Sequence, residues 1–128
     1  MGPRESARSS RRRLRTLQHS WQFRRCYDAG RKLVTNHTII FLFAPPETDG
    51  VRVGVVASKR VGGAVKRNRA KRLLREAARR NITNWPTGHW VVLVARATIV
   101  TRTADEIETD IACALGAGDS LEPGTAGD

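Results

Sequence analysis

A 22-residue segment, residues 59–80, constrains this chain more than any other part of its sequence. It reads KRVGGAVKRNRAKRLLREAARR and holds ten of the 23 lysine and arginine residues, against the single acid Glu76. At 100° per residue, a helix over about residues 64–81 collects its small and aliphatic side chains on one side. That side holds Ala70, Leu73, Leu74, Ala77 and Ala78, and the opposite side holds Asn68, Lys71, Arg72, Arg75 and Arg79. The segment therefore predicts a helix that packs one face on a core and presents the other to an anion.

Charge is unevenly distributed over the rest of the chain as well. The 128 residues carry a formal net charge of +11, and residues 1–32 hold ten bases against two acids. Residues 103–128 hold seven acids and no base, a separation typical of a protein with one anion-binding side. Such a cationic chain is expected to bind nucleic acid or an anionic membrane surface. No apolar run approaches the roughly 20 residues that cross a bilayer. We therefore expect a cytoplasmic nucleic-acid-binding protein without a membrane partner.

The sequence offers little for protein-based catalysis. Cys26 and Cys113 are far apart and belong to no CxxC or Cys/His spacing, so we expect free thiols in a reducing compartment. His19, His37 and His89 share no metal-binding spacing either. With no paired carboxylates and no plausible triad, we expect neither a catalytic residue nor a metal site in the protein.

Hydrophobic periodicity predicts the element order α-β-β-α-β-α. The first helix, over residues 21–29, has Ser20 as a plausible N-cap, and Thr103 with Glu106 forms a capping box for the last helix. Strands are predicted over residues 38–44, 51–58 and 90–97. This order indicates an α+β fold, an α/β sandwich in which helices pack on a small mixed sheet. Trp85 and Trp90 are expected to anchor the core.

One domain is expected, over residues 13–116. Residues 1–12 form a basic stretch without apolar content, and residues 117–128 are similarly poor in apolar residues. Segments of this composition cannot bury enough apolar surface to fold by themselves. Both are therefore predicted to be disordered tails.

The basic segment resembles the signature of the bacterial ribonuclease P protein subunit, which runs approximately K-x-x-G-N-A-V-x-R-N-R-x-K-R-x-x-R-E. Residues 59–76 follow it closely, with RNR at residues 67–69, although Gly63 stands where the family usually has asparagine. The similarity continues in RVGVVASK at residues 52–59 and in Phe23, Tyr27 and Gly30. It covers about residues 13–116.

The resemblance implies a small protein that assists a catalytic RNA. Its partners would be the ribonuclease P RNA subunit and precursor tRNA, in a ribonucleoprotein with one protein monomer per RNA. This endoribonuclease removes the 5′ leader of precursor tRNA, and Mg²⁺ held mainly by the RNA activates the attacking water. The family also has a left-handed β-α-β crossover around the basic helix, against the general right-handed rule.

Two sets of binding residues follow from the resemblance and the helix geometry. Contacts to the catalytic RNA are expected from Lys59, Arg60, Lys66, Arg67, Asn68, Arg69, Lys71, Arg72 and Arg75. A solvated charged face is the alternative, but ten cations without acidic partners would repel one another. Asn68 could instead fix the start of the helix. The basic residues Arg11, Arg12, Arg13 and Arg15 either add nonspecific RNA affinity or keep the tail soluble.

Three aromatic residues match family positions in a cleft that holds the leader single-stranded: Phe23, Tyr27 and Phe41. Stacking on aromatic rings is a sequence-tolerant way to hold unpaired nucleotides. Ordinary core packing is the alternative for each of them. At the level of function, two alternatives remain open: a ribosomal protein or assembly factor that binds rRNA through the same helix, and a self-contained nuclease. Missing carboxylate and histidine constellations disfavour the nuclease.

Overall fold

The computed structural model describes residues 14–46 and 50–120, with side chains described up to residue 116, and shows a five-stranded mixed sheet and three α-helices. The strands are β1 (Arg15–Thr16), β2 (Arg31–Val34), β3 (Thr38–Phe43), β4 (Arg52–Val56) and β5 (Trp90–Ala95). The helices are α1 (Ser20–Ala29), α2 (Ala64–Arg80) and α3 (Ala104–Ser120), and a 3₁₀ helix spans Ala97–Thr101. The predicted α+β class and the predicted mixed sheet are confirmed.

The strand order across the sheet is β1-β4-β5-β3-β2. Strand β4 runs parallel to both β1 and β5, whereas β3 is antiparallel to both β5 and β2. Helix α2 connects β4 to β5, which are adjacent and parallel, so these three elements form a β-α-β crossover in the middle of the sheet. The left hand of this crossover stays a prediction.

One face of the sheet carries the main core. In β3 the sequence TIIFLF alternates, so that Ile40 and Leu42 are buried on this face while Phe41 and Phe43 lie on the other. Helices α2 and α3 cover the first face. The predicted apolar side of α2 is confirmed, because Ala70, Leu74, Ala77 and Ala78 are buried and Leu73 is half-buried.

The opposite face is covered in part by α1. Cys26 is fully buried there beside Leu17, Trp90 and Val92. Helix α1 begins at Ser20 with His19 as its N-cap, so the prediction of Ser20 as N-cap is wrong. The buried side chain of Gln22 explains the difference, because its Oε1 accepts hydrogen bonds from the backbone N–H groups of Gln18 (2.8 Å) and His19 (2.9 Å).

Strands β1 and β2 were not predicted. Each is too short or too polar to show strand periodicity: β1 has two residues, Arg15 and Thr16, and β2 reads RKLV. The capping box of α3 is confirmed, since the backbone N–H of Thr103 donates to Glu106 Oε1 at 2.9 Å and that of Glu106 to Thr103 Oγ1 at 3.2 Å. Trp85 and Trp90 are both buried, as expected of core anchors.

The predicted domain boundary at residue 116 falls inside α3, which continues to Ser120. Low apolar content did not end the helix there, because α-helical hydrogen bonds are made within the backbone. The predicted tail over residues 1–12 and residues 121–128 of the predicted tail over residues 117–128 lie outside the described residues. In the described part of the chain, no helix is both long and apolar enough to span a bilayer.

Candidate nucleic-acid interface

A glycine turn positions the start of α2. The N–H of Gly62 donates to the carbonyl of Lys59 at 3.1 Å, and Gly62 adopts a φ of +139°, which strains any residue with a side chain. Gly63 is the N-cap and supplies no side-chain cap. The first N–H groups of the helix are therefore uncapped by any side chain, next to the exposed cations Lys59, Arg60 and Lys66.

The basic side of α2 divides into a cleft-facing flank and an outer row. The cleft-facing flank contains Lys71 and Arg75, which both line space next to Phe23 of α1. Arg67 precedes Lys71 by one turn on the same flank and is half-buried, because it lies near the apolar edge of the helix. The outer row, Asn68 and Arg72, is exposed. Within the described residues, no hydrogen bond or ion pair occupies any of these five side chains.

The opposite flank of α2 is occupied by contacts within the protein. Arg69 Nε donates to the carbonyl of Val100 at 2.9 Å. Glu76 bonds to Arg80 on this flank and also to Arg79, which lines the cleft-side cavity. Arg80 also pairs with Asp105 and with Glu108 of α3, the latter at 3.3 Å. These bonds hold the pKa of Glu76 below its usual value and raise the pKa of Arg80. The expectation that all ten cations lack acidic partners is therefore wrong for Arg79 and Arg80. The count of charges within residues 59–80 did not include the acids of α3, which the fold places beside Arg80.

Among the predicted RNA-binding residues, Arg69 lies on this opposite flank. Its Nε is committed to Val100, and it lies on the side of α2 that faces the 3₁₀ helix rather than the cleft. The side chain nevertheless remains exposed. Arg69 can therefore contact RNA only beside a fixed intramolecular hydrogen bond, which limits its freedom to adapt.

A cleft between α1 and α2 brings aromatic and cationic side chains together. Its outer part has a volume of about 450 Å³ and is lined by Ser20, Phe23, Tyr27, Val55, Val56, Ala57 and Lys71. An adjoining cavity of about 690 Å³ shares Phe23 and Val55 with it and reaches Arg75 and Arg79. The floor lies along the edge of β4, because β1 pairs with Arg52 and Val53 and leaves the end of β4 uncovered by a strand.

The three predicted aromatic residues occupy different positions around this cleft. Tyr27 is 41% exposed, and its ring contacts Phe41 edge-on with centroids 5.0 Å apart. Desolvation by partial burial raises the pKa of Tyr27. Phe23 is half-buried against Gly54, where an added Cβ would lie 2.4 Å from the Phe23 ring. Phe41 lies beneath Tyr27 on the sheet, so it supports the cleft rather than lining it.

Sequence reasoning missed the part of the cleft that belongs to β4. Gly54 allows the close approach of Phe23, and Val55 forms the floor between the aromatic and cationic walls. A glycine inside a strand pattern is the one signal that could have indicated close packing at this point. In the described part of the chain, no group of three or more His, Cys, Asp or Glu residues could hold a metal ion.

The sheet, the crossover and the cleft define the class of protein: an α+β domain with a cleft between an aromatic and a cationic wall. The family model described as Ribonuclease P matches residues 11–117. The chain therefore belongs to the ribonuclease P protein family, as the basic segment predicts.

Similar proteins agree with this assignment. The ribonuclease P protein component of Natranaerobius thermophilus is 40% identical over 81 residues, which cover 63% of this chain and 70% of that protein. The component from Chloroflexus aurantiacus is 36% identical over 105 residues, 81% of this chain and 77% of that protein. The structure of the Staphylococcus aureus RNase P protein matches with a TM-score of 0.70 at 23% identity, over 80% of this chain and 94% of that chain. The solved structure supports the fold, and the relatives support the family.

Proposed function

We propose that this protein binds the ribonuclease P RNA subunit through α2 and holds the 5′ leader of precursor tRNA in the cleft between α1 and α2. In this role it assists RNA-catalysed, endonucleolytic 5′ maturation of tRNA. The observation that carries the proposal is that Phe23 joins the aromatic wall of the cleft to its cationic wall. This residue lines both the space next to Tyr27 and Lys71 and the space next to Arg75.

A cleft built in this way suits a single strand better than a duplex. Unpaired nucleotides present a flat base on one side and a phosphate on the other, and stacking is worth about 1–3 kcal/mol per base. The exposed ring of Tyr27 can accept a base, while Lys71 and Arg75 across the cleft can meet the adjoining phosphates. Neither contact distinguishes one base from another, which fits a protein that must accept many leader sequences.

The outer row of α2 suits the folded catalytic RNA. Asn68 and Arg72 are exposed and point away from the core, so they can reach a phosphate surface without rearrangement of the fold. The turn at Lys59 and Arg60 extends the same cationic surface. When bound to the RNA, Mg²⁺ supplies an activated water and stabilises the developing charge. The cations of the protein add to this by lowering the repulsion between leader and RNA phosphates.

The proposal includes one protein monomer per RNA and a cytoplasmic location. It is tested by adding the purified protein to a bacterial ribonuclease P RNA at low Mg²⁺ concentration, with precursor tRNA as substrate. We expect faster cleavage and a preference for precursor over mature tRNA in binding. Tyr27→Ala should remove much of that preference while a precursor with a minimal leader is bound as before. Cleavage that does not respond to the protein at any Mg²⁺ concentration would contradict the proposal.

A further inference from the structure

Helix α1 carries a second aromatic and cationic surface, on the flank opposite the cleft. Its outermost residue is Trp21, which is 51% exposed, whereas Trp85 and Trp90 are 5% and 6% exposed. Trp21 precedes Phe23 by two positions, and side chains two positions apart on a helix diverge by about 200°. The indole of Trp21 therefore lies on the other side of α1 from the Phe23 wall.

Neighbouring rings hold this indole in one orientation. Trp21 contacts Trp90 edge-on with ring centroids 5.8 Å apart, and its plane lies within 9° of the His19 ring at 6.2 Å. The Arg25 guanidinium lies 5.0 Å from the centre of the Phe43 ring and 5.8 Å from that of Trp90. A large apolar ring that is fixed in place and half exposed can accept a flat partner with little loss of conformational entropy.

The charge around Trp21 favours an anionic partner. Over residues 14–46 and 50–116, no acidic side chain forms an ion pair with Arg25. Arg24 is exposed on the same helix, and Asp28 is the one acid of α1. A flat ring beside unpaired guanidinium groups matches a nucleotide, which offers a base to the ring and a phosphate to the cation.

We propose that Trp21 is a stacking platform for an unpaired nucleotide of the leader, upstream of the nucleotides in the cleft, with Arg25 beside its phosphate. The outer part of the cleft ends at Ser20, and Trp21 is the next residue of α1. A strand that leaves the cleft over the amino-terminal end of α1 therefore meets Trp21. This inference rests on the proposed function, since it requires the leader to occupy the cleft.

The test measures the affinity of the complete ribonucleoprotein for two precursor tRNAs. One has a short leader that fills only the cleft, and the other has a longer leader. Trp21→Ala should weaken binding of the long-leader precursor about tenfold and leave the short-leader precursor unchanged. Trp21→Phe should retain most of the affinity because it keeps an aromatic face. Trp21→Leu keeps an apolar contact with Trp90 but has no flat face for stacking, so it should lose affinity for the long-leader precursor as Trp21→Ala does. It replaces the alanine variant in the test if that variant folds poorly.

Fluorescence provides a second readout. Trp21 is the most exposed of the three tryptophans, so the long-leader precursor should quench emission in the native protein more than in Trp21→Phe. If Trp21→Ala lowers the affinity for the short-leader and the long-leader precursor equally, Trp21 contacts the catalytic RNA instead, and the inference is overturned. Dimers in sedimentation that Trp21→Ala abolishes would also overturn it, because the partner would then be a second copy of this chain.

Failure of the inference can be told apart from failure of the proposed function. If Trp21→Ala binds both precursors normally while Tyr27→Ala still weakens leader binding, the platform does not exist and the cleft assignment stands. If Tyr27→Ala and Arg72→Ala are also without effect on RNA binding, the proposed function fails and the inference fails with it.

Discussion

At the scale of single residues, the two buried tryptophans differ in whether the indole nitrogen makes a hydrogen bond. Trp85 Nε1 donates to the carbonyl of Ala78 at 3.0 Å, and this bond ties the loop after α2 to the helix. Trp90 Nε1 is buried and has no hydrogen-bond acceptor in the described part of the chain. A buried donor without a partner costs free energy, whereas a satisfied one contributes about 1 kcal/mol.

Replacement of each tryptophan by phenylalanine separates these contributions. Both substitutions remove a similar volume, but Trp85→Phe also removes a hydrogen bond to the Ala78 carbonyl, which then keeps the N–H of Asn81 at 3.1 Å. We expect Trp85→Phe to lower the free energy of unfolding by about 1 kcal/mol more than Trp90→Phe. Urea unfolding of the two variants measures the difference, and equal losses would show that the Trp85 hydrogen bond contributes nothing net.

Gly63 offers a second test at this scale. It is the N-cap of α2 with a φ of −74°, and a Cβ added there would meet no atom within 4 Å. Gly63→Asn, which restores the residue usual in the family, should stabilise the protein by about 0.5–1 kcal/mol through a side-chain cap and a less flexible unfolded chain. Thermal unfolding checks this, with Gly62→Ala as the destabilising control because Gly62 has a φ of +139°. A lower melting temperature for Gly63→Asn would contradict the expected cap.

At the scale of elements, α2 was predicted well because its pattern is local. A period of 3.6 residues fixes which side is buried, and Leu74 and Ala77 are fully buried as that pattern requires. The cleft could not be predicted in the same way. It depends on the shortness of β1, which leaves the end of β4 uncovered by a strand, and on the approach of Phe23 to Gly54. Such contacts join residues that are distant in sequence, so no periodic sequence pattern predicts them.

The outer row and the opposite flank of α2 predict different effects on RNA binding. Arg72 is exposed, and no acid pairs with it in the described part of the chain, so Arg72→Ala should weaken binding and reduce the slope of log K against log salt by about one. Arg80 is held by Glu76, Asp105 and Glu108, so Arg80→Ala should leave that slope unchanged. Titrations of the catalytic RNA over a range of salt concentrations measure both slopes. A smaller slope for Arg80→Ala would mean that RNA displaces its acidic partners.

At the scale of the whole molecule, Arg80 connects the basic helix to α3, and Glu76 bonds to Arg80 within the helix. Hydrogen bonds from Arg80 and Arg79 lower the pKa of Glu76, so the folded protein holds that proton less tightly than the unfolded chain. The stabilisation is therefore present above the ordinary glutamate pKa, near pH 4.3, and is lost as the pH falls through the lower folded value.

Glu76→Gln should consequently be less stable than the native protein at neutral pH, and the difference should narrow as the pH falls below about 4. Asp110→Asn is a matched control, since no ion pair holds Asp110 among the described residues. Unfolding by urea at several pH values gives both curves. A difference between Glu76→Gln and the native protein that does not change with pH would show that the carboxylate charge is not responsible.

The acids that α3 places beside one flank of α2 also affect how the protein meets its partner. Asp105 and Glu108 both pair with Arg80 on that flank, while Lys71, Arg72 and Arg75 form no ion pair among the described residues. The charge around α2 is therefore asymmetric, which gives the described part of the molecule an electric dipole in addition to its net charge. In the field of a polyanion this dipole exerts a torque that turns the cleft side forward during diffusion, before any contact forms. Productive encounters then become more frequent than random collisions would allow, and added salt removes this advantage.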